Sequence, residues 1–538
     1  MRRERVVGIV LALVTVIVVT INQRDVGIAR DEVVYMQHGS KYADWWTGLV
    51  TFSHGAGKDS ITRTFGGKGA TDNNREHPPL MKTLFGLSEK LLHDKLGIAS
   101  ETTAYRFPTA LMHGLCVWLV YAMALSLWGF AEAVVSALAL LLLPRALFHA
   151  GLAAFDAPIM TMWFLVIYAY WRCLDGRRWP WQAGVAFGLA MATKHNAFLL
   201  PFAIAIHYAV VGFRAGRWRG MVTHQWRLIV SFVVLGPLTL VAVWPWLWFD
   251  PIAHVRDWIT FHTTHVHYNF EYLGKNWNAP PFPWHVALVT TLVTVPVATL
   301  AAALTGIGAW IARRTEVNTK ASMPGLLLAL SAAASMGPFF LGSTPIFGAE
   351  KHWMPALPSL CIAAGVGVVW AARAAIAFVA TKRELSMRAR YGAIAALATC
   401  VLGAATVETV TAQPYALTWY NALAGGAPGG ADLGMNRQFW GVSARGVLPL
   451  LAESAPTSVY THDARPAWGI YHREKLLPST VRDSGHEQQG VEASKLAIVI
   501  HELHFNRHDY LVWKAYGSVR PIAVLRVYGV PVVTVYER

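Results

Sequence analysis

Apolar residues along this chain come in long unbroken runs, not in the alternation of a strand or the one-sided stripe of a surface helix. Val6 to Ile21, Val134 to Leu143, Leu228 to Leu247 and Ala287 to Ile311 carry no acidic or basic side chain. In hydrocarbon a backbone must satisfy its own polar groups, so each run predicts a helix. Runs of roughly 17 to 25 residues give about eleven spans. They begin near Val6, Phe107, Ala131, Ala157, Gln182, Ala197, Leu228, Trp284, Met323, Pro355 and Tyr391. The fold class predicted is a polytopic α-helical membrane protein.

The segments between the runs are unequal. Residues 22–106 form a first loop too long for a connector, with amphipathic stretches at Glu32 to Trp46 and Lys82 to Leu92. A second loop, Phe249 to Pro283, is rich in His, Trp, Tyr and Phe, which favour the headgroup zone. A third, Ser343 to Trp353, is shorter. Past Glu408 the composition turns mixed, and a connection rich in Gly and Pro runs from Gly425 to Gly430. Alternating or β-rich runs at Ser458 to Tyr460, Ala497 to Ile500, Ile522 to Tyr528 and Val532 to Tyr536 predict strands, the last two joined as a hairpin through Gly529-Val530-Pro531. The expected division is a membrane domain over 1–408 and a small soluble α/β domain over 409–538.

Composition agrees: 54% of the 538 residues are hydrophobic and 14% charged, too apolar for a soluble fold of ordinary make-up. The net charge of +15 does not point to nucleic acid, because the Lys and Arg residues are not gathered on one soluble face. They sit in short loops, Arg2 to Arg5, Arg172 to Arg178, Arg214 to Arg227, Arg313 to Lys320 and Arg373 to Arg390. If the spans alternate, all fall on one side, the cytoplasm. The N-terminus is then cytoplasmic and the C-terminal domain outside. The first run has no small-x-small cleavage site before Arg24 and is expected to be an uncleaved span. Cys116, Cys173, Cys361 and Cys400 lie within or beside apolar runs, so no disulfide framework is implied.

Candidate chemistry gathers on the outer face. Asp31 and Glu32 follow the first span by about ten residues; burial there would suit a carboxylate to base catalysis. A solvated acidic pair at a helix start explains them equally well. Arg75-Glu76-His77-Pro78-Pro79 sets cations and a carboxylate around a rigid turn that could hold a phosphate, or simply starts a helix. Asp156 and Lys194 stand in short outer turns; a helix cap for Asp156 and snorkelling for Lys194 are the plain alternatives. His262, His265 and His267 with Glu76 could bind a divalent metal, but no paired Cys, HExxH or facial triad supports it, and satisfied interfacial histidines account for them better. Walker, dinucleotide and nucleophile-elbow motifs are absent.

Asp31-Glu32, His77-Pro78-Pro79-Leu80, Phe155-Asp156-Ala157-Pro158 and Thr193-Lys194 together resemble the protein O-mannosyltransferase and aminoarabinose transferase group of the C-type glycosyltransferase superfamily. The resemblance extends through Tyr272-Leu273-Gly274, Pro280-Pro281 and Lys351-His352-Trp353 into Trp419-Tyr420-Asn421. It implies a bacterial inner-membrane enzyme with a periplasmic active site. Such an enzyme inverts the anomeric centre while moving a hexose or pentose from a polyprenyl-phosphate carrier to a hydroxyl of a protein, lipid or glycan. Asp31 matches the base, Glu32 a residue that positions the acceptor or Asp31, and Asp156 a second acid near the sugar. Arg75, His77, Lys194, Lys351 and His352 are the groups available to the phosphate; His77 stands where aminoarabinose transferases carry Lys. Glu76 and His265 resemble a pair that holds a metal in those enzymes. A transporter or flippase of lipid-linked precursors is the alternative from another class, but it should place its charges at the bilayer midplane in repeated halves. A non-catalytic assembly protein is a second alternative. An oligosaccharyltransferase is a third, disfavoured because Trp45-Trp46-Thr47 lacks the acid of that family's signature.

Overall fold

The structure is a computed structural model that describes residues 2–66, 77–174, 180–214, 226–264, 267, 269–312, 323–382, 384–502 and 505–538. Among these, seven helices are long and apolar enough to cross a membrane: Arg3–Asn22, Glu101–Leu127, Asp156–Leu174, His195–Arg214, Trp226–Val243, Met354–Ala380 and Met387–Ala412. The pair Phe130–Leu141 and Pro144–Ala150, bent by 68°, makes an eighth if counted as one span. The expected count of about eleven therefore also draws on shorter or broken helices. Proline explains two of the breaks, because it cannot donate to the helical ladder. Pro144 opens the second half of the bent pair, and Pro296 separates Val286–Thr294 from Val297–Ile311. Trp181–Thr193 stops at Lys194, whose backbone is extended (φ −157°, ψ 141°).

The first loop folds into helices Arg30–Val50, Lys58–Phe65 and Leu80–Glu89, the last continuing as a wider turn to Lys95. Arg30–Val50 crosses Leu80–Glu89 through two glycines. A Cβ on Gly86 would overlap the Gly39 carbonyl, so only a bare backbone allows this approach. A buried guanidinium ties the loop to the membrane helices. Arg106 donates to both oxygens of Glu32 (2.9 and 2.8 Å) and to the carbonyls of Gln23, Val26 and Gly27 (2.9, 3.1 and 2.7 Å).

Strands β1 (Phe270–Tyr272) and β2 (Lys275–Trp277) pair antiparallel in the second loop, and after Ala412 the chain builds a five-stranded sheet. Strands β3 (Ser458–Tyr460), β4 (Arg482–Asp483), β5 (Leu496–Ile500), β6 (Ala523–Val527) and β7 (Val530–Glu537) lie in the order β4-β3-β5-β7-β6. β3 runs parallel to β4 and β5, and β7 antiparallel to β5 and β6. Every residue of β5 is buried, because apolar side chains pack on both faces of the sheet. The β6–β7 hairpin turns at Tyr528-Gly529, both with positive φ (49° and 84°), which suits a tight turn. Val530 and Pro531, expected in the turn, already belong to β7.

The first loop and the tail share one apolar core. Val26, Ile28, Met36 and Phe85 pack with Leu448, Val459, Trp468 and Ile498. Polar contacts register the two: Tyr471 accepts from the Ile28 N–H at 3.1 Å, and Arg473 grips Glu101 through two bonds of 2.8 Å. Gly27 is needed here because a Cβ would overlap the Val442 carbonyl.

Candidate active site

A cavity of about 780 Å³ opens where the first loop, the breaks between membrane helices and the tail meet. Asp31 reaches it from the first turn of Arg30–Val50 and His77 from the turn before Leu80–Glu89. Asp156 starts its helix there, Lys194 sits at the break after Thr193, and Lys351 and His352 occupy the short turn Ala349–His352. Six expected residues far apart in sequence thus line one space.

Their environments differ. Lys194 and Asp156 form an ion pair at 2.7 Å with side chains only 10% and 6% exposed; at such a site each charge depends on the other. Lys351 lies among rings, its Nζ 4.1 Å from the Trp440 centroid, 4.7 Å from Phe439 and 4.9 Å from Phe347. Burial pushes its ammonium down to about 8, with Asp156 and Asp31 working against the fall. Burial, then Lys82 and Lys194, hold His77 well below the usual histidine range. Both effects favour its neutral ring over the cation expected there. Burial, then Lys194 and Lys351, lower His352 in the same way, and its Nε2 contacts the Phe347 carbonyl at 2.6 Å. It braces the Lys351 turn instead of reaching freely into the cavity.

Glu32 is not in the cavity. Its oxygens accept from Arg106, from the Ala29 N–H (2.8 Å) and from the Ala153 N–H (2.6 Å), and its side chain is fully buried. Of its two expected tasks, positioning the acceptor or Asp31, these contacts suit the second: it fixes the start of the helix that presents Asp31. The histidine cluster also divides. His262 stacks on His195 at 3.6 Å, and His267 stands by Phe282 at 5.6 Å. Arg75, Glu76 and His265 lie outside the described residues, and with them the expected metal pair. Among the described residues no group of three His, Cys, Asp or Glu side chains suits a metal ion.

Sequence reasoning missed the contribution of the tail. Trp440 donates its Nε1–H to Asp31 Oδ2 at 2.9 Å, while its carbonyl accepts from the Arg30 N–H at 3.0 Å. Its φ of 70° is rare for a bulky residue. Arg30 bonds Asp463 at 2.6 Å and stands 3.7 Å from Asp31. Glu502 also lines the cavity; burial and then Asp463 push it well above the usual carboxylate range, which favours its neutral form. The only local hint was the aromatic pair Phe439-Trp440 directly before Gly441.

Behind Lys351, Glu350 meets Arg145 at 2.6 Å, and Arg145 also donates to the carbonyls of Leu417 and Trp419 at 3.1 Å each. Burial opposes the Glu350 charge, but Arg145 holds its carboxyl below the ordinary value. The bent helix pair places Arg145 there, one residue past the Pro144 break.

Residues 76–246 match a family described as dolichyl-phosphate-mannose-protein mannosyltransferase. Over that stretch the chain is similar to those mannosyltransferases. ArnT from Cupriavidus metallidurans in the apo state shares the fold of this chain. Its TM-score is 0.50 at 15% identity, covering 98% of this chain and 97% of that one. ArnT bound to undecaprenyl phosphate gives 0.49 at 16% identity over 98% and 97%. The oligosaccharyltransferase AglB from Archaeoglobus fulgidus, in complex with an inhibitory peptide and a dolichol-phosphate, gives 0.46 at 11% identity over 95% and 71%. No curated protein matches the chain. The group resemblance carried by the motifs is met, as is a multi-pass membrane protein rich in apolar helices.

Proposed function

We propose that this mannosyltransferase-like protein moves a sugar from a polyprenyl-phosphate carrier to an acceptor hydroxyl, inverting the anomeric centre, with Asp31 as the base. The observation that carries the reading is one cavity lined together by the Asp31 carboxylate and the Lys194 and Lys351 ammonium groups, each held by a neighbouring side chain. Asp31 takes the acceptor's proton as its oxygen attacks the anomeric carbon. The bond from that carbon to the phosphate oxygen breaks, and the electron pair leaves with the phosphate toward Lys194 and Lys351. Charge-assisted contacts at the developing phosphate charge lower the barrier most when they are fixed beforehand. Asp156, paired with Lys194, sets that ammonium's position.

The ArnT fold, in a protein bound to undecaprenyl phosphate, supports a lipid-linked donor. The basic loops, which fall on one side if the spans alternate, support a cavity on the periplasmic face of a bacterial inner membrane, N-terminus inside and tail outside. The boundary near residue 408 falls in the last long helix, shortly before the sheet-bearing tail. Sugar transfer from polyprenyl-phosphate hexoses and pentoses, measured in membranes with the native chain or Asp31→Asn at equal expression, tests the reading. Transfer by the native form alone supports it; equal transfer by both removes Asp31 from the chemistry.

A further inference from the structure

The indole of Trp440 touches both charges the reaction needs, and neither the motifs nor the resemblance gives it a task. Its N–H holds one Asp31 oxygen at 2.9 Å, and its ring lies 4.1 Å from the Lys351 ammonium. The ring is fixed from both ends of its own segment. The Arg30 N–H binds the Trp440 carbonyl, φ at Trp440 is 70° and at Gly441 74°, and Val442 presses on Gly27. Around Asp31 stand Arg30 from its own helix, Asp463 from the tail and Lys351 from the turn before Met354–Ala380.

We propose that Trp440 is a positioning residue that keeps the Asp31 carboxylate and the Lys351 ammonium from closing on each other. A direct ion pair would harm both partners at once: the carboxylate would lose basicity, and the ammonium would no longer be available to a phosphate. An indole serves because it offers an N–H to the anion at its edge and a π face to the cation. The role given to the two charges rests on the glycosyltransferase reading; the placement of the indole between them does not.

The full chain in lipid nanodiscs, as native, Trp440→Phe and Trp440→Leu, tests this. Phe keeps a ring beside Lys351 and loses the N–H; Leu loses both. In the Leu variant kcat falls about tenfold or more, the size expected when a hydrogen bond to a charged group is lost. The pH–rate profile also widens, its acidic limb moving down and its basic limb up, because a newly formed ion pair lowers the carboxyl's pKa and raises the ammonium's. The Phe variant falls between Leu and native. A uniform loss with both limbs unmoved, or a native-like Leu variant, overturns the proposal. A second readout needs no turnover. In protein labelled with ¹⁵N-tryptophan, the Nε1–H resonance that Trp440→Phe removes should shift in Asp31→Asn and in Lys351→Met. A resonance indifferent to both overturns the proposal even if the native chain transfers no sugar, an outcome that by itself would sink only the glycosyltransferase reading.

Discussion

Two sets of residues enclose the cavity, and they are built on different supports. Asp156, Lys194 and Lys351 stand at helix starts or breaks among apolar helices, where unpaired charge is costly. Each charge there is compensated: Asp156 and Lys194 by one another, and Lys351 by rings. Trp440, Asp463 and Glu502 come from the tail and meet the first loop through Arg30 and Asp31. In the proposed reaction the membrane set offers cations to the leaving phosphate, and the tail set shapes the surroundings of the carboxylate that takes the proton. Trp440 joins the two, its N–H on the carboxylate and its ring beside the Lys351 ammonium.

The strongest way to break that division is Asp31→Asn, which should cut kcat by roughly 10²- to 10⁴-fold, the usual worth of a general base, with the melting temperature unchanged. Glu32→Gln should do the reverse. Removing one charge of the buried Arg106 pair costs about 3–5 kcal/mol, read in thermal unfolding of the purified chain. Lys351→Met should raise the donor KM about 10- to 100-fold, for a charge-assisted contact of ~1.5–3 kcal/mol, with the acceptor KM untouched. The same ammonium sets a pH effect. With its pKa pushed down to about 8, Lys351 is charged below that pH and neutral above it, so the donor KM should climb as pH rises through 8. Smallest is Glu502→Gln. Because burial already favours the neutral acid, unfolding should move by only about 0.5 kcal/mol, in contrast to Glu32. A large loss at Glu502 would mean that the tail carboxyls are charged and that the contrast between the two sets is wrong.

The membrane set was legible because each member sits beside a proline or at the edge of an apolar run, features that sequence shows directly. Asp31 was legible for the same reason, but its neighbour was not. Successive residues of a helix point about 100° apart, and nothing in Asp31-Glu32 says which one turns toward Arg106 and which toward the cavity. His77 lies where expected, yet its charge depends on burial beside Lys82 and Lys194, which no local pattern contains. Four strands of the tail followed from alternating or β-rich runs and the two-residue strand Arg482–Asp483 did not, whereas the return of Trp440, Asp463 and Glu502 to the first loop depends on tertiary packing. The span count blurred where Pro144 and Pro296 interrupt helices that composition alone joins.

Asp31 and its indole partner stand 409 residues apart, which has a bearing on how the protein comes into being. Segments are made and folded in order from the N-terminus, so the carboxylate is in place long before the side chain that orients it has been translated. A nascent chain with every apolar helix already inserted still lacks part of the chamber around its base. If the proposed reaction is right, competence arrives last, after the tail has folded back onto the first loop.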